Sequence, residues 1–186
     1  AITNSTPIHT IKPVPDTQNF TVVRAEFLCQ VQTTNLDNEA VSGISVDAYL
    51  GKMSVPPTRT SDEDGLAKFP LEAGNYSFKA SLNNVEIGGI PVLSLSENIT
   101  EILICQLAHI RTYVKDVDET PLSFIDVTFR YDYTTTDNIT ISAEISFETN
   151  STGIVVLPNT FTNLSYAVET RRYNHLFNAT TIGNLT

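Results

Sequence analysis

Short runs of alternating hydrophobic and polar residues fill most of the chain, and this alternation is typical of half-buried β-strands. Val46, Ala48 and Leu50 alternate with polar residues, and residues 139–147 form the clearest such run. Turn-forming residues separate the runs, as at Asp64-Gly65. We find no helical stripe in any window of ten residues. Short strands at intervals of about 8–12 residues predict an all-β chain built as an antiparallel β-sandwich.

The sequence contains two copies of one module. Residues 36–46 align without gaps with residues 117–127 at an offset of 81, and residues 64–70 align with residues 152–158 at an offset of 88. Two copies of one supersecondary unit explain the length of the chain. We therefore predict two tandem antiparallel β-sandwiches with an extended N-terminal tail, divided as residues 1–20 for the tail, 21–107 for the first sandwich and 108–186 for the second.

One stretch of the first copy resembles a known family. Residues 60–69, followed by Ala73-Gly74-Asn75-Tyr76-Ser77-Phe78, resemble the carboxypeptidase-regulatory-like and collagen-adhesin B-type modules. Asn163-Leu164 replaces the Gly-x-Tyr turn of that pattern in the second copy. The resemblance implies that each copy is a seven-stranded, Ig-like or prealbumin-like sandwich. It leaves the function open, because such modules serve as stalks, linkers and adhesins.

Asparagine residues indicate the compartment. Nine of the 15 Asn residues begin an Asn-x-Ser/Thr triplet (a sequon) without Pro, whereas 39 Ser and Thr residues in 186 positions would give about three by chance. A single triplet can be accidental, because Asn and Thr are also common in turns and strands. Sequons accept N-linked glycans on secreted proteins. We predict an extracellular, cell-surface protein with covalent N-glycans at Asn4, Asn19, Asn75, Asn98, Asn138, Asn150, Asn163, Asn178 and Asn184.

The two cysteines, Cys29 and Cys105, leave two interpretations open. A disulfide fits a secreted protein, and closing a loop of about 77 residues contributes about 4–5 kcal/mol in the chain-entropy model. Alternatively, both are small buried hydrophobic residues, since each lies in an apolar strand pattern. We favour the disulfide. A metal site is disfavoured because no His lies near either cysteine.

Composition and charge exclude several functions. The net charge is −10, so we expect no nucleic-acid partner and no attraction to an anionic bilayer, both of which require a basic face. The longest apolar stretches, such as residues 102–105, are far shorter than a membrane span, so we expect no membrane insertion.

Candidate chemistry is sparse. His9, His109 and His175 lie far apart, and neither a Gly-x-Ser-x-Gly motif nor a phosphate-binding loop is present. Residues 62–65 form an acidic turn that lacks the later bidentate Glu of a calcium loop, so we favour an ordinary polar turn over calcium binding. We therefore predict a protein that is not an enzyme, with no metal and no cofactor.

The two copies are unequal at their ends. By the offset, a closing strand of the second copy would begin near position 187, whereas residues 1–20 belong to neither copy. We predict that this tail fills the open edge of another copy, with donor residues Ile2, Ile8, Ile11 and Val14. Because a head-to-tail contact of this kind does not close on itself, it generates a filament.

The predicted function is therefore a secreted, heavily N-glycosylated structural subunit of a pilus-like or thread-like extracellular filament. Its main partner is itself, in a head-to-tail homopolymer, and cell surfaces or other filaments are further candidates. The arrangement resembles the subunits of archaeal thread filaments. The alternative is a monomeric stalk or adhesive segment of a larger cell-surface protein, in which the tail folds back or the chain continues past residue 186.

Overall fold

The structure, a computed structural model, describes residues 26–173 and 175–183. The predicted tail, its four donor residues and the sequons at Asn4, Asn19 and Asn184 lie outside these residues. The described residues form thirteen β-strands and no helix, hence no helix that could cross a membrane. The strands are β1 (Glu26–Thr34), β2 (Ser45–Leu50), β3 (Met53–Thr60), β4 (Leu66–Glu72), β5 (Gly74–Leu82), β6 (Val85–Leu95), β7 (Ile99–Ile104), β8 (Leu107–Tyr113), β9 (Asp126–Thr134), β10 (Thr140–Glu148), β11 (Ile154–Phe161), β12 (Tyr166–Arg172) and β13 (His175–Ile182).

The first seven strands form a sandwich of two sheets, ordered β4-β1-β7 and β3-β2-β5-β6. They enclose a core of eighteen buried residues, of which Leu107 and Phe161 come from β8 and β11, and in which the rings of Phe69 and Phe78 lie 5.4 Å apart. Neighbouring strands are antiparallel except for β7, which runs parallel to β1 and closes one edge of its sheet.

The remaining six strands form a second sandwich with sheets β11-β8 and β10-β9-β12-β13. Its core is smaller, with seven buried residues around Phe129 and Tyr166. The prediction of an all-β fold with two tandem sandwiches is confirmed. The proposed boundaries at residues 20 and 107 stay a prediction.

The loops repeat the same hydrogen bonds in both sandwiches. Asn35 Oδ1 accepts bonds from the backbone N–H groups of residues 37 and 39, and Asp116 Oδ1, 81 positions later, accepts from those of residues 118 and 120. Asp62 and Asn150, 88 positions apart, each accept from the N–H groups two and four residues ahead. Short side chains of Asn and Asp stabilise turns in this way, so these residues set where the loops turn.

Apolar and polar contacts join the sandwiches. Tyr133 of β9 lies 5.5 Å from Phe161, which is buried in the core of the first sandwich. Beside them, His109 of β8 bridges the two halves: its Nε2 lies 2.6 Å from Glu39 Oε2, and its Nδ1 accepts the backbone N–H of Asn159 at 3.2 Å. Because Nδ1 accepts this hydrogen bond, Nε2 is the ring nitrogen whose N–H donates to Glu39.

The predicted disulfide between Cys29 and Cys105 is wrong. Both thiols are free and buried, and burial raises the pKa of each to about 11. In the parallel pairing of β1 with β7, Cys29 lies opposite Ile99, six residues before Cys105. Six strand residues span about 20 Å, whereas a disulfide requires Cα atoms within about 7 Å. The alternative interpretation, two small hydrophobic residues in the core, describes both cysteines.

A candidate strand-accepting groove

The two sandwiches differ at one edge. Strands β8 to β13 take the places of β1 to β6, strand for strand, as the pairing orders show. In the first sandwich β1 lies between β4 and β7, whereas β8 pairs with β11 alone among the described residues. The backbone of β8 therefore presents a row of peptide groups on its second side, which is the usual template for an added strand.

The register of β7 on β1 defines which part of β8 is open. Residues 99–104 pair with residues 29–34, and the offset of 81 carries the latter onto residues 110–115. Alternate residues of β7 face the core, and Leu103 is the most deeply buried of them. An added strand would place its inward side chains opposite Ile110, Thr112 and Val114.

A groove of about 570 Å³ lies along this edge. It runs between the end of β8 and the inner face of β12 and β13. The lining combines apolar side chains with polar and charged ones, among them Val114, Leu122, Val168, Phe177, Thr180, Lys115 and Asp116. Such a lining fits an extended segment whose side chains alternate between apolar and polar.

Strand β13 is exposed where its counterpart β6 is covered. Strand β6 bulges at Ile87 and has a second register shift between residues 90 and 93, whereas β13 bulges once, at Phe177, two positions further along the pairing than Ile87. Ile87 is 3% exposed, and its backbone carbonyl accepts the N–H of Gln106, just after β7. Phe177 is 61% exposed. Val117, which also lines the groove, is 98% exposed, so apolar side chains stay exposed on both sides of it.

Thr112 adds a polar signal at the same edge. It occupies the position of Val31, which is fully buried against β7. The Thr112 hydroxyl is buried and has no hydrogen-bond partner in the part of the chain that the structure describes. Buried hydroxyl groups are nearly always paired, so an added strand opposite Thr112 would supply a missing partner.

A closing strand would run less close to β13 than β7 runs to β6. A methyl group built on Gly88 of β6 would lie 2.5 Å from the Ile104 carbonyl oxygen, so β7 passes directly over that glycine. Gly88 pairs with Ala80, and the corresponding residue Val168 pairs with Thr180. Because Thr180 has a branched side chain, a strand in the groove needs more room there than β7 has.

The six described sequons all place their asparagine on the surface. Asn98 and Asn150 use the side-chain oxygen to accept backbone N–H groups, from Leu28 at 2.8 Å and from Ile154 at 3.0 Å, while the nitrogen Nδ2 is the atom that a glycan would modify. Asn35, which begins no sequon, is fully buried. Its Nδ2 donates to Asn159 Oδ1 at 3.1 Å in the joint, the set of contacts around His109 between the two sandwiches. The exposed sequon asparagines are Asn75, Asn98, Asn138, Asn150, Asn163 and Asn178.

The described residues hold no group of three or more His, Cys, Asp or Glu side chains that could bind a metal ion. Asp62 of the acidic turn accepts the N–H of Leu66 and pairs with Lys68 at 3.1 Å, and the Leu66 bond followed by the Lys68 bond lowers its pKa. His109 packs in the joint, and His175 lies exposed on β13.

The groove could not be located from the sequence. The unequal ends of the two copies predicted an open edge, but Thr112, Phe177 and Thr180 carried no signal of their own. Their roles depend on how β12 pairs with β13 and on which residue of β13 bulges, and neither property is encoded within a short window of sequence.

No family model matches the chain, and no curated protein matches it. Among solved structures it is similar to the TIE protein of Bacillus anthracis (18% identity over 87% of this chain and 31% of that one, TM-score 0.36). It is also similar to a streptococcal ancillary pilin (14%, 86% and 59%, 0.41) and to a variant of the shaft pilin SpaA of Lactobacillus rhamnosus GG (9%, 87% and 94%, 0.47). The chain therefore spans less than two thirds of the first two. At these identities and TM-scores the similarities do not indicate a function, and the resemblance to archaeal threads stays a prediction.

Proposed function

We propose that this chain is an N-glycosylated structural subunit of an extracellular filament, which polymerises head to tail by donating its N-terminal segment to the open edge of the next copy. The observation that carries the proposal is that β8 pairs with β11 alone among the described residues, whereas β7 closes the corresponding edge of the first sandwich. Proteins ordinarily pair or cover such an edge strand.

Residues 1–14 are the proposed occupant because their composition and length suit the groove. Ile2, Ile8, Ile11 and Val14 provide apolar side chains among Thr, Ser and Pro. Fourteen extended residues reach about 46 Å, whereas a six-residue strand needs about 20 Å, so a linker remains between neighbouring subunits. The stretch from Ile8 to Lys12 lies between Pro7 and Pro13 and can donate its backbone N–H groups to β8.

We expect the donor segment to pair with β8 in parallel, as β7 pairs with β1. The donor segment precedes the first sandwich and the acceptor edge belongs to the second, so each copy has one donor segment and one acceptor edge. A contact between two different surfaces continues indefinitely unless its rotation closes a ring.

Deletion of residues 1–14 tests the proposal. We expect the shortened protein to give folded monomers, because the first sandwich is closed by its own β7, and we expect filaments of the full chain in negative-stain micrographs. Full-length protein with Ile8→Asp and Ile11→Asp should also remain monomeric: the two residues face opposite sides of an extended strand, so whichever of them faces inward would bury an unpaired charge in the groove. Filaments that form without residues 1–14 would falsify strand donation.

A peptide of residues 1–14 provides the complementary measurement. Added to the shortened protein, it should bind one to one and raise the unfolding midpoint of the second sandwich by mass action. The same peptide with Ile8→Asp and Ile11→Asp is the matched control. Absence of binding, together with monomeric full-length protein, would instead favour a stalk segment of a larger surface protein.

A further inference from the structure

One sequon faces the groove. In the pairing of β12 with β13, Asn178 lies opposite Thr170 and Thr180 opposite Val168. Residues paired in a ladder share a face of the sheet, and Val168 is buried in the core of the second sandwich. Asn178 and Thr180 therefore project from the inner face of β13, and both line the groove.

The other described sequon asparagines lie elsewhere. None of Asn75, Asn98, Asn138, Asn150 and Asn163 lines the groove. A glycan on any of these leaves the edge of β8 accessible, whereas a glycan on Asn178 begins inside the space that an added strand must occupy.

The groove has no room for both a glycan on Asn178 and an added strand. Facing sheets pack about 10 Å apart, and an added strand lies about 4.8 Å from β8, so its inward side chains fill the gap between β8 and β13. In the first sandwich this gap is so tight that one methyl group on Gly88 would collide with β7. A sugar is much larger than a methyl group, and Thr180 already occupies part of the corresponding space in the second sandwich.

A strand bound in the groove would in turn block glycosylation of Asn178. A glycosyltransferase that reads Asn-x-Thr must reach both the Asn and the Thr, and a strand in the groove would cover Asn178 and Thr180 together. The transfer forms a bond between Asn178 Nδ2 and the anomeric carbon of a phosphate-activated oligosaccharide. It breaks the sugar–phosphate bond, the phosphate leaves with the electron pair, and one amide proton passes to a base of the transferase.

We propose that glycosylation of Asn178 and occupation of the groove by a donor strand exclude each other, so that a subunit modified at Asn178 accepts no further subunit. This inference rests on the proposed function, because it assumes that the occupant of the groove is the N-terminal segment of another copy. Asn178 is thereby a chain-terminating modification site, in contrast to the surface sequons.

Glycopeptide mass spectrometry on protein from the native host tests the inference. In filaments we expect Asn178 to be unmodified while Asn75 carries a glycan. In the monomers produced by deleting residues 1–14, where the groove stays empty, we expect Asn178 to be modified. Asn178 that is glycosylated as fully as Asn75 within filaments, or unmodified in filaments and monomers alike, overturns the proposal.

Three variants separate the glycan from the side chain. Asn178→Gln and Thr180→Ala both abolish the sequon by different changes, whereas Thr180→Ser preserves it with a smaller side chain. We expect the first two to lengthen filaments and to deplete the unassembled fraction, and Thr180→Ser to match the unaltered protein. Asn75→Gln, on an exposed strand position of the first sandwich, is the control for loss of a glycan in general and should leave filament length unchanged.

The outcomes distinguish the inference from the proposed function. If filaments form without residues 1–14, strand donation fails and the inference fails with it. If filaments need residues 1–14 but Asn178→Gln and Asn75→Gln have equal effects on length, strand donation stands and chain termination by Asn178 is wrong.

Discussion

At the scale of single residues, the turns of this protein depend on a few positions with special backbone angles. Gly65 and Gly153, which are 88 positions apart, have φ angles of +75° and +69°. A side chain on Gly65 would approach the carbonyl oxygen of Thr33 to 2.7 Å, and one on Gly153 would approach that of Val114 to 2.5 Å. Glycine is required there for two reasons, the left-handed conformation and the lack of space.

Two alanine substitutions separate these reasons. Gly43 has a φ of +77° but no atom within 4 Å of a Cβ, whereas Gly65 combines a positive φ with the collision. We expect Gly43→Ala to lower the free energy of unfolding by about 1 kcal/mol, the cost of the left-handed conformation. Gly65→Ala should lower it by about 2–4 kcal/mol, because strain from overpacking is added. Urea unfolding measures both, and equal losses would contradict the role of the Thr33 contact.

At the scale of strands, register decides what a residue can do. The secreted context predicted a bridge between Cys29 and Cys105, whereas their apolar neighbours favoured two buried hydrophobic residues. The parallel pairing of β1 and β7 places them at different ends of this strand pair. The same dependence on register makes Asn178, unlike the five other described sequon asparagines, face a groove.

Counting thiols checks the register of β7. After denaturation without a reductant, we expect alkylation to add two adducts per chain, and a reductant to leave that number unchanged. In the folded protein both thiols should react slowly, because burial raises their pKa to about 11 and hides the sulfur atoms. Adducts that appear only after reduction would show that Cys29 and Cys105 form a disulfide.

At the scale of the whole molecule, two sandwiches with one repeated plan differ in how they are completed. The first has a larger core and is closed by β7, whereas the second has a smaller core and its β8 pairs with β11 alone within residues 26–173 and 175–183. The two sandwiches are joined by aromatic packing, by the contact of His109 Nε2 with Glu39, and by the backbone N–H of Asn159, which donates to His109 Nδ1.

The joint predicts an acid-dependent stability. Hydrogen bonds from His109 first, and then from Asn35, lower the pKa of Glu39 below its ordinary value of 4.5. A carboxyl group whose pKa is lower in the folded state stabilises the fold above its unfolded pKa, and that stabilisation is lost as the pH falls through the folded pKa. Below pH 4.5 the unfolding free energy of the unaltered protein should therefore fall more steeply than that of Glu39→Gln.

Urea unfolding between pH 7 and pH 2 measures this difference. The exposed residue Glu63, away from the joint, offers Glu63→Gln as a control for the loss of one negative charge. Parallel pH profiles for Glu39→Gln and the unaltered protein would contradict a role for Glu39 in holding the sandwiches together at neutral pH.

The sequence by itself determined the features that short stretches encode. Alternating polarity specified strands, Asp, Asn and Gly specified the turns, and the offsets of 81 and 88 specified two sandwiches, because each of these signals acts within a few residues or repeats along the chain. Only the tertiary structure decided that Cys29 and Cys105 lie apart, that Phe177 stays uncovered and that Asn178 faces inward. Those properties depend on pairing between strands, on the position of a bulge in β13 and on the face that each ladder turns to the core, and the chain acquires them only when distant segments pack together.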